Sequence, residues 1–180
     1  MSLEVVIGPM FSGKSSYALS YVRRQRSIGK RVLIVKPDID MRYSQESVLV
    51  THDNDTIPCM LWNTAQSLFP ATPHFLDTDC VVIEEAQFFK GLLHLVKWLL
   101  IQNSKDVLIV GLDGCAKQEV FGEVLSCIPW ATRVTKLSAL CLECKDGTLA
   151  PFTKRNIEDN SKVLVGGSGM YSAVCLKHLK

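Results

Sequence analysis

Residues 8–15 form the first pattern that can do chemistry. They read Gly-Pro-Met-Phe-Ser-Gly-Lys-Ser and fit G-x-x-x-x-G-K-[S/T], a loop whose backbone N–H groups surround the phosphates of a nucleotide. A chance match is the alternative, but the segment follows a strand-like apolar run and opens a helix-like pattern, which is the context this loop requires. In this pattern the lysine brings positive charge to the transferring phosphate and the last hydroxyl binds Mg²⁺. We therefore predict a phosphate site formed by Gly8, Pro9, Met10, Phe11, Ser12, Gly13, Lys14 and Ser15.

Two adjacent carboxylates form the second pattern. Glu84 and Glu85 follow the apolar run 81–83, and the carboxyl end of such a strand faces the phosphates in a phosphate-loop protein. One carboxylate can organise Mg²⁺ and its water, while the other can accept the proton of an attacking hydroxyl. Glu84 has one methylene more than the aspartate usual at this position, so we expect its metal contact to pass through water. The alternative is a solvated acidic strand end without a function.

Pairs of cysteine and histidine form the third pattern, a candidate metal site. Cys141-x-x-Cys144 and Cys175-x-x-His178 each place two ligands on one tight turn, and together they supply a tetrahedral set that suits Zn²⁺. Four protein ligands leave no open position, so we expect a structural metal that contributes folding energy. A redox pair or plain packing is the alternative for a single Cys-x-x-Cys. The remaining cysteines lie among apolar neighbours and are interpreted as small buried hydrophobic residues: Cys59, Cys80, Cys115 and Cys127.

The elements that position these groups follow from apolar runs and helical periodicity. Strands are predicted over residues 3–7, 32–35, 80–83, 107–112 and 133–140. Helices are predicted over residues 15–28, 64–69, 92–102 and 121–128. Residues 48–51 and 56–61 are expected to pair as a hairpin around residues 53–55.

These elements predict an α/β fold. The order strand, loop, helix, strand at the start of the chain indicates a βαβ unit, and therefore a P-loop NTPase-like parallel sheet flanked by helices. The character of the sequence changes after residue 140, where the cysteine pairs begin. We expect an ATP-binding domain over residues 1–140 and a small zinc-binding C-terminal domain over residues 141–180.

The composition is that of an ordinary globular protein. The 180 residues are 47% apolar and 21% charged with a net charge of +2, which gives no strongly charged face for a polyanion. No apolar run approaches the roughly 20 residues of a membrane-spanning helix, and the first residues lack the pattern of a secretory signal. We therefore expect a cytoplasmic protein with no membrane partner, no nucleic-acid partner and no disulfide framework.

In their content and order, the motifs resemble the cellular and poxvirus type of thymidine kinase. The segments that carry the resemblance are G-P-M-F-S-G-K-S, E-E-A-Q-F-F, L-D-G, F-G, the Cys-x-x-Cys, T-K-R, G-G and Y-x-x-V-C. The resemblance implies an enzyme that uses Mg²⁺ and transfers the γ-phosphate of ATP to the 5′-hydroxyl of thymidine. It also implies a homotetramer, feedback inhibition by dTTP, and a lasso-like zinc domain that closes over the nucleoside.

The resemblance further implies roles for single residues. Glu85 matches the general base for the 5′-hydroxyl. Asp40, Arg42 and Arg155 match polar positions near Mg²⁺ and phosphate. Residues 162–166 match a loop that binds the base through main-chain groups. The full set implied for the nucleoside is Met10, Gln87, Phe88, Leu112, Ala116, Phe121, Thr153, Lys162, Val163, Leu164, Val165, Gly166 and Tyr171.

Three positions depart from the pattern of that family. Ala116 stands where a phenylalanine is usual, residues 117–120 replace a more basic stretch, and Gly169 replaces an acidic residue common before the tyrosine. The loss of an aromatic ring at position 116 can open the pocket. A broader deoxynucleoside specificity is therefore an alternative to strict thymidine use.

Two other interpretations use the same phosphate loop. A regulatory GTPase needs a guanine-binding [N/T]-K-x-D, but the segment Thr135-Lys136-Leu137-Ser138 lacks the aspartate. A zinc-ribbon ATPase that binds nucleic acid would use the basic residues near the cysteine pairs, but these are scattered and lack interleaved aromatic residues. Tight binding of DNA or RNA in a gel-shift assay would favour this last interpretation.

Overall fold

The chain folds into short strands and helices around one large sheet. The computed structural model describes residues 1–38, 48–50, 56–63, 73–158, 164, 166 and 169–179. The strands are β1 Ser2–Ile7, β2 Val32–Pro37, β3 Val48–Val50, β4 Thr56–Pro58, β5 Met60–Trp62, β6 Cys80–Ile83, β7 Asp106–Gly111, β8 Arg133–Lys136, β9 Ala139–Leu140, β10 Leu149–Ala150, β11 Phe152–Arg155 and β12 Tyr171–Val174. The α-helices are α1 Lys14–Ser27, α2 Pro73–Leu76 and α3 Leu92–Lys97, and short 3-10 helices cover Ala86–Phe88, Leu125–Trp130 and Leu176–His178.

The central sheet has six strands in the order β5-β2-β6-β7-β1-β8. Every neighbouring pair is parallel, which confirms the predicted parallel α/β architecture. The carboxyl ends of the strands therefore meet at one edge of the sheet, and the phosphate loop after β1 lies near the acidic segment after β6. Binding sites of open parallel sheets lie at this edge.

Both faces of the sheet are covered, as a parallel sheet requires. Alternate residues of β6 point to opposite faces: Val82 packs in a cluster with Leu19 and Val22 of α1, whereas Ile83 packs in a cluster with Leu95 of α3. Each cluster consists of side chains with almost no exposure. The layer order is therefore helix, sheet, helix. The edge where the carboxyl ends of the strands meet is left open.

Two small antiparallel sheets follow the central sheet. β9 pairs with β10, and β11 pairs with β12. A third hydrophobic cluster lies here and includes Ala150, Val174 and Cys175, with Phe11 of the phosphate loop packed against it. Among the described residues, the helices are too short or too polar to cross a membrane.

Residues 133–140 do not form one strand, so that prediction is wrong. β1 turns into the phosphate loop after Ile7, and the Leu137 N–H makes a bond of 2.8 Å to the Ile7 carbonyl at that point. Beyond Leu137 no continuation of β1 is present to pair with. The chain leaves the sheet and forms β9, which pairs with β10 instead.

The hairpin prediction is confirmed for its first part and wrong for its second. β3 and β4 pair antiparallel, but the expected strand 56–61 divides at Cys59, and β5 joins the central sheet parallel to β2. A continuous apolar run does not reveal a change of pairing partner. The turn at residues 53–55 and the helix expected at residues 64–69 lie outside the described residues.

The two helices predicted after β6 have different outcomes. Residues 92–102 are helical, but α3 continues as a π-helix over Trp98–Gln102. The α-helix expected at residues 121–128 is wrong, because a 3-10 helix occupies Leu125–Trp130. Gly122 has φ +65° and Pro129 lacks a backbone N–H, so an α-helix cannot run through this segment.

Candidate active site

The phosphate loop is a tight turn between β1 and α1. A side chain at Gly8 would place its Cβ 2.5 Å from the Leu137 carbonyl oxygen, so only glycine fits at this position. The Pro9 carbonyl accepts hydrogen bonds from Ser12 Oγ at 2.8 Å and from Lys14 Nζ at 2.6 Å. The N-terminal N–H groups and the positive end of the α1 dipole provide a favourable environment for phosphate.

Ser15 and Glu84 are in direct contact across the site. Ser15 Oγ donates a hydrogen bond of 2.5 Å to Glu84 Oε1, and Glu84 is only 2% exposed. A buried carboxylate is costly unless it is hydrogen-bonded or near a cation. A hydroxyl and a carboxylate oxygen are ligands that Mg²⁺ prefers, so this pair fits a magnesium site. Asp40 and Arg42, predicted nearby, lie outside the described residues.

Glu85 takes a strained backbone conformation at the start of the next turn. Its φ is +49° and its ψ is +44°, a left-handed region that is costly for a residue with a side chain. Gln87 Nε2 donates a bond of 2.5 Å to Glu85 Oε2, while Gln87 Oε1 accepts the Leu112 N–H at 3.0 Å. Because Gln87 is buried, it fixes the Glu85 carboxylate relative to the end of β7.

One cleft gathers most of the residues predicted for the nucleoside, together with Glu85 and Arg155. It lies between the phosphate loop, the ends of β6 and β7, and the β11–β12 sheet. The predicted residues that line it are Met10, Glu85, Gln87, Phe88, Leu112, Ala116, Phe121, Thr153, Arg155, Leu164, Gly166 and Tyr171. Lys162, Val163 and Val165 lie outside the described residues.

Aromatic and polar contacts shape this cleft. The rings of Phe88 and Phe121 meet edge to face with centroids 5.4 Å apart, a favourable arrangement for an aromatic pair. The Arg155 guanidinium lies 5.6 Å from the ring centroid of Tyr171. The Tyr171 hydroxyl donates a bond of 2.6 Å to the Leu164 carbonyl. The cleft therefore combines an apolar side with a cationic group.

A hydrogen bond joins the phosphate loop to a strand that lines the cleft. The Met10 N–H donates to Thr153 Oγ1 at 2.9 Å. Thr153 is 5% exposed and belongs to β11, far away in sequence. The loop that would hold a phosphate is thus in contact with the strand that lines the cleft.

Two residues of the cleft were missed by sequence analysis. Gly114 and Cys115 also line it, although the sequence pattern indicates for Cys115 only a small buried hydrophobic residue. Cys115 is indeed buried, but in the side of the cleft. Their position in the chain is the signal that could have identified them. The segment directly follows β7, at the edge where parallel sheets bind ligands.

The four predicted metal ligands come together as expected. The ligand atoms of Cys141, Cys144, Cys175 and His178 all lie within 4.8 Å of one another. Cys144 Sγ lies 3.7 Å from Cys175 Sγ and 3.4 Å from His178 Nδ1. A tetrahedron with Zn–S bonds of about 2.3 Å and Zn–N bonds of about 2.0 Å has edges of about this length. The donor set and its spacing therefore fit Zn²⁺.

The surroundings of Cys141 favour its thiolate form, which is the form that binds a metal. Burial by itself raises the pKa of this thiol, but backbone N–H groups, led by that of Cys175, outweigh burial and lower the pKa to about 6. The Cys175 N–H donates to Cys141 Sγ at 3.3 Å. Backbone donors of this kind stabilise a metal thiolate as well.

Comparison with known proteins gives a consistent result. The family model described as thymidine kinase matches residues 1–179. "Thymidine kinase a" of Arabidopsis thaliana is 39% identical over 180 residues, covering 98% of this chain and 74% of that protein. The thymidine kinase of Yaba monkey tumor virus is 33% identical over 173 residues, covering 96% of this chain and 91% of that protein. The cytosolic thymidine kinase of Cricetulus griseus is 33% identical over 177 residues, covering 96% and 70%.

The match extends over the phosphate loop, the carboxylates, the cleft and the cysteine pairs. It agrees with a parallel sheet whose site edge brings these groups together. The chain belongs to the thymidine kinase family.

Proposed function

We propose that this protein transfers the γ-phosphate of ATP to the 5′-hydroxyl of thymidine. The observation that supports the proposal most strongly is that Met10 of the phosphate loop and the carboxylate-bearing Glu85 line the same cleft. Phosphoryl transfer depends on positioning and charge neutralisation rather than on covalent catalysis. In such a cleft the phosphate loop supplies positive charge to the phosphates, and the carboxylate helps to position the attacking hydroxyl.

Glu85 is the proposed proton acceptor. As the O5′–Pγ bond forms, the bond from Pγ to the oxygen bridging the β- and γ-phosphates breaks and ADP leaves. The proton of the 5′-hydroxyl passes to the Glu85 carboxylate. Gln87 holds that carboxylate through its bond of 2.5 Å to Oε2, which limits the positions from which the carboxylate can accept the proton.

The phosphate end of the site is assigned to residues 8–15. Lys14 lies at the start of α1 with its ammonium on the Pro9 carbonyl, and it is the cation proposed to contact the transferring phosphate. Ser15 and Glu84 would hold Mg²⁺, which supplies charge neutralisation to the phosphates. Asp40, Arg42 and Arg155 are proposed as further polar groups of this end.

The nucleoside end is assigned to the apolar side of the cleft. The base would lie among Met10, Phe88, Leu112 and Phe121, and Tyr171 would lie beside the sugar. Residues 162–166 are proposed to close over the base through main-chain groups. The bond from the Tyr171 hydroxyl to the Leu164 carbonyl supports this assignment, because it connects that segment to the cleft.

A structural Zn²⁺ is proposed at the cysteine–histidine cluster. The division into residues 1–140 and 141–180, the homotetramer and feedback inhibition by dTTP stay predictions that rest on the family resemblance. A cytoplasmic location likewise stays an expectation.

A broader deoxynucleoside specificity is the second candidate, and one observation favours it. Ala116 lines the cleft with a single methyl group, so the base meets less bulk on this side than it would with an aromatic ring. A pocket that fits loosely discriminates poorly between bases that differ by one small group.

A coupled assay with ATP, Mg²⁺ and three nucleosides tests both candidates. We expect thymidine to be phosphorylated at its 5′-hydroxyl, with deoxyuridine and deoxycytidine as the comparison. Strict use of thymidine would exclude the broader specificity, and turnover of none of the three would contradict the proposed function. Lys14→Ala is the variant to assay beside the unaltered protein, because it removes the phosphate-loop cation and leaves the cleft residues in place.

A further inference from the structure

Gln118 lies beside the cleft in an unfavourable backbone conformation. Its φ is +62°, in the left-handed region that side chains other than Asn and Asp rarely adopt. Its N–H donates to the Cys115 carbonyl at 2.9 Å, and the Cys115 N–H donates to the Glu119 carbonyl at 2.9 Å. Glycine or asparagine would form this turn with less strain. The turn alone therefore does not explain a glutamine at this position.

The side chain of Gln118 makes contacts that glycine cannot make. Its amide nitrogen donates to the Thr153 carbonyl at 3.1 Å and lies 3.4 Å from the Ala116 carbonyl. Both partners are acceptors, so only the NH₂ end of the amide can bind them. Ala116 belongs to the segment after β7 and Thr153 belongs to β11, and both line the cleft. Gln118 thus connects two sides of the cleft.

Thr153 carries this connection to the phosphate loop. Its carbonyl accepts from Gln118, while its hydroxyl accepts from the Met10 N–H at 2.9 Å. Thr153 is buried, with 5% of its surface exposed, and it bonds to both partners from the interior of the site. A shift of Thr153 would change both the width of the cleft and the environment of the phosphate loop.

We propose that Gln118 is a positioning residue for the nucleoside. Its bond to Thr153 sets the spacing between the Ala116 side and the β11 side of the cleft and keeps Thr153 on the Met10 amide. Gln118 acts through Thr153 and is not a catalytic residue. As far as the ligand is concerned, this inference rests on the proposed function. The bridge accounts for a glutamine at a position whose backbone conformation favours glycine.

Two variants separate the bridge from the turn. Gln118→Gly suits the backbone and removes the side chain, and Gln118→Glu keeps the length of the side chain but replaces the donor with an acceptor. Ser104→Gly is the matched control, because Ser104 also has positive φ (+50°) and lies at the opposite edge of the sheet, just before β7. We would measure thymidine binding by calorimetry, amide exchange at Met10 in the ligand-free protein, and the thermal midpoint.

We expect Gln118→Gly and Gln118→Glu to raise the Kd of thymidine about two- to tenfold, the effect of losing one hydrogen bond. Exchange at Met10 should become faster in both. Gln118→Gly should not lower the thermal midpoint, because it relieves strain as Ser104→Gly does. Ser104→Gly should leave binding and exchange unchanged.

Either an unchanged Kd or unchanged exchange at Met10 in Gln118→Gly overturns the inference. If the unaltered protein does not bind thymidine at all, the proposed function fails. The exchange measurement then decides on the bridge by itself, since it needs no ligand: faster exchange supports the connection from Gln118 to the phosphate loop, and unchanged exchange contradicts it.

Discussion

Gln87 Nε2 lies 2.5 Å from Glu85 Oε2, so the proposed proton acceptor is held by a side chain that is itself bonded to the Leu112 N–H. Gly122 lies against the backbone of Gln87. A Cβ at Gly122 would lie 2.2 Å from the Gln87 carbonyl oxygen, closer than any contact allows. The position of the carboxylate therefore depends on the absence of a side chain at a residue 37 positions away in sequence.

Gly122→Ala should destabilise the fold and reduce turnover. Gly147→Ala is the control, because Gly147 has φ +89° but nothing within 4 Å of an added Cβ. In both variants the left-handed backbone conformation destabilises the fold by about 1–2 kcal/mol. Only Gly122→Ala adds a steric clash, which costs about a further 1–3 kcal/mol. Urea unfolding and kcat should separate them. Equal unfolding free energies and equal kcat for the two variants would show that Gly122 does not support Gln87.

Tyr171→Phe tests the connection to the segment proposed to close over the base. The variant removes only the hydroxyl that donates to the Leu164 carbonyl at 2.6 Å. Loss of one hydrogen bond costs about 0.5–1.5 kcal/mol, so we expect KM for thymidine to rise about two- to tenfold with an unaltered zinc content. An unchanged KM would mean that this bond does not contribute to nucleoside binding.

Removal of the metal should affect the phosphate loop as well as the cysteine cluster. Phe11 packs against the cluster that contains Cys141 and Cys175, so loosening this region removes the support of the loop. Cys144→Ser should lose most of its bound zinc, unfold at lower temperature and bind ATP more weakly. Cys59→Ser, a change outside the ligand set, should keep its zinc. Full zinc occupancy in Cys144→Ser, measured by elemental analysis, would contradict the assignment of this ligand.

Acid should weaken the fold partly through Asp106. Burial raises the pKa of this carboxyl, but hydrogen bonds from Lys30 and Ser2 outweigh burial and hold the pKa below its ordinary value. A lowered pKa means that the contribution to stability is present above the unfolded value of about 3.9 and is lost as the pH falls through the lower folded value. Asp106→Asn should therefore have a lower free energy of unfolding than the unaltered protein at pH 7. The difference between the two free energies should shrink below about pH 4.

Urea unfolding across this pH range measures that gap. Asp77→Asn, which changes an exposed carboxyl, provides the control and should follow the unaltered protein throughout. A gap for Asp106→Asn that stays constant down to pH 2 would contradict the linkage.

The groups proposed to carry the chemistry can be predicted from the sequence because their signals are local. The phosphate loop is defined by eight consecutive residues, 8–15, and each cysteine or histidine pair by four. The carboxylates follow directly from an apolar strand. Backbone geometry restricts such short segments to few conformations, so residue types and spacing are enough to predict the groups that they bring together.

The missed features depend on partners far away in sequence. β8 ends near Leu137 because β1 turns away after Ile7, and nothing in residues 133–140 records this. The helix expected near residue 121 fails because Gly122 takes a positive φ against Gln87. The role proposed for Gln118 depends on Thr153, which the β11–β12 sheet brings near it. Contacts of this kind are set by packing and cannot be derived from periodicity.

The central claim is that the Glu85 carboxylate accepts the proton of a nucleoside hydroxyl in the cleft that it shares with Met10. Steady-state turnover of thymidine by Glu85→Gln, measured beside ATP binding, tests it most directly, with Asp77→Asn as the control. Glutamine keeps the size of the side chain and removes the base. The account predicts that kcat falls by about 10²–10⁴ while ATP binds with the affinity of the unaltered protein. Turnover near the unaltered rate would contradict it.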